Sequence, residues 1–290
     1  MAIDYDRLMA LRIPDAEHGY SDKDVMLYAL GVGLGIPADG QTLDRRQLDF
    51  VYEKNLKVLP TFAAVLGYPG FWARDLDTGI DWVRLVHGEQ GVTLHRPLAS
   101  AGTVIGRSRI VEVIDKGKGK GALVYSERQI VDRESGEAIA TVNQTTFCRA
   151  DGGCGGPPRR QPPSHPLPER AADLVCELAT RPEQALIYRL SADRNPLHAD
   201  PDVAEAAGFP RPILHGLGTF GVVGHAVLRG ICGYDPARLR SFQGRFSSPV
   251  FPGETLRTEM WVDGPVVSFR ASVPARGVVA MTNGRAEIAG

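Results

Sequence analysis

The chain has 290 residues, 33 Lys and Arg against 34 Asp and Glu, and 43% hydrophobic composition. A net charge of −1 gives no electrostatic reason to expect nucleic acid, an anionic membrane surface or a polyanion as partner. A chain this long buries enough surface to fold without disulfide or metal staples, and no run of 18 apolar residues suggests a membrane span. The mixed, acidic N-terminus lacks a secretory pattern, so a cytoplasmic location is expected. Cys148, Cys154, Cys176 and Cys232 have no C-x-x-C or zinc-ligand spacing and read as reduced structural thiols.

In chain order, Asp24 to Leu30 reads as a short amphipathic helix. The following Gly31-Val32-Gly33-Leu34-Gly35 imitates a dinucleotide loop. It follows a helix rather than a strand, however, and Ile36 stands where the third glycine belongs. Strand-like stretches come next at 91–94, 104–114, 121–132 and 139–148. Asp151 to Glu169 is so rich in Pro and Gly that neither helix nor central strand can form, which marks an exposed linker. A domain of residues 1–150, a linker of 151–170 and a domain of 171–290 are therefore expected.

The second half opens with a short helix around Gln184 to Leu190. A capped helix follows from Asp200 and Pro201 to Gly208, then a Gly-rich apolar helix from Gly216 to Arg229. Strands are expected at 242–246, 255–262, 266–273 and 278–287. The halves also echo each other. Asp24–Leu30 resembles Gln184–Leu190, Thr61–Val65 resembles Thr219–Val223, and Arg96-Pro97-Leu98 resembles Ser248-Pro249-Val250, at offsets of 160, 158 and about 152. Three matches in one order suggest a duplicated fold. Helices before an antiparallel meander indicate an α+β class, with a twisted sheet wrapping a central helix.

The chemistry concentrates between residues 188 and 229. Asp193, Asn195 and His198 lie within six residues, and Pro196 bends the chain so that acid and imidazole can converge. Pro210 and Pro212 force an extended approach to the helix at Gly216, whose first N–H groups can receive a developing oxyanion. The glycines at 216, 218, 221 and 224 oppose helix formation, so close approach of the helix backbone to sheet or ligand should explain them. Carboxylate, imidazole and helix start together suit proton transfer beside a thioester carbonyl. Asp193-x4-His198 is no familiar metal spacing, and no G-x-S-x-G elbow is present.

The stretches Y-R-L-S-A-D-R-N-P-L-H-A-D-P and G-F-P-R-P-I-L-H-G-L-G-T-F-G resemble the signature of the MaoC-like hydratases, in particular the 2-enoyl-CoA hydratase 2 group. The likeness extends through L-P-T-F, L-V-H-G-E-Q, V-I-D-K-G-K-G and R-F-S-S-P-V-F-P-G-E-T-L. It implies a double hot-dog fold with a degenerate first repeat that accommodates the acyl-CoA, and reversible hydration of trans-2-enoyl-CoA to (3R)-3-hydroxyacyl-CoA without metal or other cofactor. By position it implies Asp193 and His198 as the catalytic dyad, Asn195 as their orienting residue and the Gly216 N–H as donor to the thioester oxygen. His87, Gly88, Lys116 and Phe246 would contact substrate. Lys116, Lys118 and Lys120 would seat CoA phosphates, although the same run reads equally as a solvated hairpin turn. A homodimer is a further family expectation. Relatives usually carry Ser-Gly-Asp where this chain has Ser191-Ala192-Asp193, which matters if that position needs φ > 0. The competing functions are a hot-dog acyl-CoA thioesterase and a non-catalytic acyl-CoA-binding module.

Overall fold

The computed structural model describes residues 3–37, 42–191 and 193–290. Ala192, and with it the question of its φ, lies outside the described residues. Ten strands form one antiparallel sheet: β1 (Ala16–Tyr20), β2 (Leu85–Leu94), β3 (Gly102–Asp115), β4 (Ala122–Asp132), β5 (Ala138–Cys148), β6 (Leu174–Ala179), β7 (Leu239–Phe246), β8 (Thr255–Asp263), β9 (Val266–Val273) and β10 (Val278–Ile288). Their spatial order is β1-β3-β4-β5-β2-β7-β10-β9-β8-β6. The first five strands and the last five thus follow the same internal order, reflected about the central β2–β7 pair, in which Gly91 lies opposite Gln243. This symmetric seam is the spatial form of the sequence echo.

The strands follow from alternation and β-branched content. Val266 to Val273 places Val267, Phe269, Ala271 and Val273 in the core. The two strands not expected from sequence, β1 and β6, are the sheet's edges. Each is short, and Ala-Glu-His-Gly-Tyr has almost no strand preference of its own. Pairing with β3 and β8 makes them strands.

Seven α-helical segments accompany the sheet: α1 (Tyr5–Met9), α2 (Asp22–Gly31), α3 (Leu48–Val51), α4 (Trp72–Asp75), α5 (Gln184–Tyr188), α6 (Pro201–Ala206) and α7 (Gly216–Gly230). Helix α7 is the central helix of the second repeat, buried from Gly218 to Leu228. Its counterpart in the first repeat is only a six-residue 3-10 helix, Pro60–Val65, itself fully buried. This shortening is the structural form of the degenerate first repeat. Gly67 has φ +57 and Pro69 follows, so the chain cannot continue helically. Gly67 then crosses Gly106 of β3 so closely that a side chain on Gly106 would meet the Gly67 carbonyl. The buried Arg128 guanidinium donates to the Ala64 carbonyl at 2.5 Å, finishing the truncated helix.

The glycines of α7 also answer differently from expectation. A methyl at Gly221 would collide with Val32, and one at Gly224 would sit 2.6 Å from the Thr61 side chain. The close approach is therefore helix against the first repeat's helices, not helix against sheet. Residues 152 to 168 carry no helix or strand, but this segment is not a free linker. His165 Nε2 lies 2.8 Å from Ser268 Oγ, and Asn283 donates to the His165 carbonyl, tying the strap across the sheet.

Candidate active site

Pro196 shapes the site from the sequence upward. It opens a 3-10 turn, Pro196–His198, capped by Asn195, whose side-chain oxygen accepts from the Leu197 N–H at 3.1 Å. The Asn195 backbone N–H donates to Asp193 Oδ1 at 2.9 Å and its carbonyl accepts from the His198 N–H at 3.2 Å, so one residue is tied to both Asp193 and His198. Behind the turn, Asp200 caps α6 by accepting from the Asp202 N–H at 3.0 Å. His198 itself is buried, and its Nδ1–H donates to the Ile213 carbonyl at 2.9 Å. That bond leaves Nε2 as the ring's free lone pair. Burial pulls the His198 pKa below the ordinary histidine value, despite the Ile213 carbonyl and the Asp193 charge acting the other way.

His215, absent from the sequence-derived catalytic set, completes the cluster. It sits at the N-cap of α7, stacks on His198 with ring centroids 3.7 Å apart, and donates from Nε2 to the Asp193 carbonyl at 2.9 Å. Polar atoms of Asp193, His198 and His215 all lie within 4.8 Å of one another. Desolvation, reinforced by His198, lowers the His215 pKa to about 4. The two rings are stacked at 29°. The spacing of these atoms would allow them to share a water or an ion. The signal for His215 in the sequence was its place directly before the Gly-rich helix.

No side chain caps the start of α7 at His215, so the first amides of the helix remain open for a ligand. Phe246 of β7 packs against Gly216, 3.7 Å from where a Cβ would stand. The Phe246 ring meets His87 of β2 edge-to-face at 4.8 Å. His87 is thus brought to the site by the other repeat, across the β2–β7 seam, with Gly88 beside it in β2. Burial lowers the His87 pKa to about 4, and its Nε2 is buried without a hydrogen-bond partner among the described residues. Lys116 stands apart in the β3–β4 turn, its ammonium 5.2 Å from the Phe147 ring centroid. Phe147 pairs with Val86, next to His87, which puts Lys116 on the rim flanking that strand. Tyr68 and Tyr188 were also missed. Tyr188 packs on His215 at 4.9 Å, and the Asp193 charge adds to the desolvation that raises the Tyr68 pKa.

A duplicated hot dog with an acid–imidazole cluster beside an open helix start marks a member of the hot-dog hydro-lyase class. The comparisons with known proteins agree. Residues 163–283 match the MaoC-like domain and residues 18–150 the MFE-2 hydratase 2 N-terminal domain. The peroxisomal enoyl-CoA hydratase 2 of Arabidopsis thaliana is 39% identical, covering 93% of this chain and 91% of its own. The 3-hydroxyacyl-thioester dehydratase Y of Mycobacterium tuberculosis is 41% identical, covering 91% and 89%. The crystal structure of a MaoC-like dehydratase from Phytophthora capsici superposes with TM-score 0.85 at 33% identity, over 98% of both chains. The chain belongs to the MaoC-like hydratases, in the hydratase 2 group, and its fold is the double hot dog.

Proposed function

We infer that the chain catalyses reversible syn hydration of trans-2-enoyl-CoA to (3R)-3-hydroxyacyl-CoA in fatty-acid metabolism. The observation that carries this reading is the convergence of Asp193, His198 and the uncapped start of α7 on one locus. In the hydration direction, water sits between the Asp193 carboxylate and His198 Nε2. As its oxygen bonds to C3, one proton passes to Nε2 and the alkene electrons move toward the thioester oxygen. The Gly216 N–H receives that developing charge. Asp193 steadies the imidazolium, and C2 then takes a proton from the dyad, which returns to its starting state. Water and dyad lie on one face of the alkene, so the hydroxyl at C3 and the proton at C2 arrive from the same side and the addition is syn.

His87, Gly88 and Phe246 wall the site from the β2–β7 seam and hold the thioester, while Asn195 positions the dyad. Lys116 faces the CoA phosphates from the rim. No step calls for a metal or a further cofactor. A hot-dog thioesterase would need water aimed at the carbonyl carbon rather than at C3, so the product formed separates the two readings. Substituting Asp193→Asn or His198→Ala should cost on the order of 10²–10⁴ in kcat with acyl-CoA binding largely retained. Loss of the conjugated-enoyl absorbance of crotonyl-CoA measures it. Free thiol release without hydroxyacyl product would replace hydration with thioester hydrolysis, and unchanged behaviour of both variants would leave a binding module.

We also propose a cytoplasmic homodimer. Edge strand β6 pairs on one side only and exposes Leu174 and Val175, a surface a second copy can cover. A hydrodynamic mass of a single chain would refute the dimer, and fractionation with an organelle would refute the location.

A further inference from the structure

The reflection that relates the repeats also relates their sites. Counterparts of the residues around the active site converge a second time, on the other side of the seam. Leu94 stands where Phe246 does, Pro97 where Pro249 does, and Leu239 and Arg240 where His87 and Gly88 do. On the helical side, Lys57 and Val58 replace His215 and Gly216. These residues line a cavity of about 220 Å³. The duplication has therefore kept a pocket while the first half lost its Asp-x-Asn-Pro-x-His motif and, with it, any dyad.

We propose that this relic pocket is a second, non-catalytic ligand site that takes a medium-chain carboxylate. Its floor is aliphatic, from Leu56, Val58, Leu94 and Leu239. Its charged lining residues are Lys57, Arg96 and Arg240, with no acid among them. Lys57 is paired with Asp49 at 2.8 Å, and Arg96 with Glu137 at 3.2 Å and Asp132 at 3.5 Å. Arg240 has no carboxylate partner among the described residues and is exposed at the mouth. An apolar floor under a free guanidinium fits a short acyl chain ending in an anion. The volume lies below that of ordinary cofactor pockets, which excludes a whole CoA thioester. The proposal rests on the duplicated fold and stands whether or not the dyad performs hydration.

Calorimetric titration with octanoate tests it, on the full chain already saturated with a 3-hydroxyacyl-CoA so that the catalytic site is filled. One octanoate per chain should bind with Kd of about 1 mM or tighter. Arg240→Glu, on the surface and outside the core, should weaken binding at least tenfold while kcat/KM on crotonyl-CoA stays unchanged. Leu94→Trp should fill the pocket and abolish binding, and octanol should bind at least tenfold more weakly than octanoate. Absence of binding, displacement of octanoate by the CoA ester, equal affinity for octanol, or indifference to Arg240→Glu would each overturn the proposal.

Discussion

His198 and His215 lie face to face but hold opposite tautomers, because each ring is fixed by a different carbonyl: Ile213 binds His198 at Nδ1, and Asp193 binds His215 at Nε2. Only a neutral His198 can accept a proton from water. Since burial lowers its pKa, the acid limb of kcat/KM should fall below the ordinary histidine value of about 6.5, and activity should persist to lower pH than a free imidazole would allow. Rates on crotonyl-CoA between about pH 5 and 8 measure this, and an acid limb at or above the free value would contradict the assignment. The amide of Gly216 is open to a separate probe. Pro is favoured at the first position of a helix, and His215, at φ −55 and ψ 141, already has the backbone a following proline requires. Gly216→Pro should therefore keep the fold and lose on the order of 10²–10³ in kcat with the oxyanion donor gone. Circular dichroism beside kinetics separates the two effects. The nearness of Asp193 and His198 was legible in the sequence because Asp193, Asn195, Pro196 and His198 fall within six residues. The stacking of His215 on His198 and the influence of Asp193 on Tyr68 were not, because each arises only through folding.

At the scale of elements, the long strands and α7 could be read from alternation and glycine punctuation, since their patterns repeat over many residues. The edge strands β1 and β6 could not, since the information that makes them strands resides in their neighbours β3 and β8. Nor did the sequence echo reveal that Pro60–Val65 is a truncated relative of α7. The likeness lies in residues that pack, whereas the truncation comes from Gly67 and Pro69 downstream. Packing of α7 is tight enough to forbid a methyl group against α2 at Gly221 and against that relic at Gly224. Gly221→Ala, which gains helix propensity, should nonetheless destabilise the protein by about 1–3 kcal/mol through collision with Val32 and Tyr28. Chemical denaturation would measure it, and a stabilised variant would mean that the Val32 side chain yields without cost.

For the molecule as a whole, the active site draws on both repeats. Asp193, His198, His215 and Phe246 come from one and His87 from the other, joined across the β2–β7 ladder. Residues 171–290 expressed alone should therefore expose β7 as a raw edge and lack His87, leaving no turnover. The strap that joins the repeats has a different standing. It is exposed through residues 155–163 and contributes nothing to the cluster of Asp193, His198 and His215. If a site-specific protease sequence is inserted after Pro158 and cut, the two fragments should elute together and retain most of the uncut kcat. Separation of the fragments, or loss of rate on cutting, would give the strap a larger part.

That seam carries a historical consequence. A ladder able to hold severed fragments together is also the kind of contact by which two identical ancestors would once have recognised each other. Tethering such a pair frees one copy from the duty of turnover without depriving the other of its neighbour. Natural selection could then rewrite the idle half, residue by residue, while the working half went on borrowing a histidine from it.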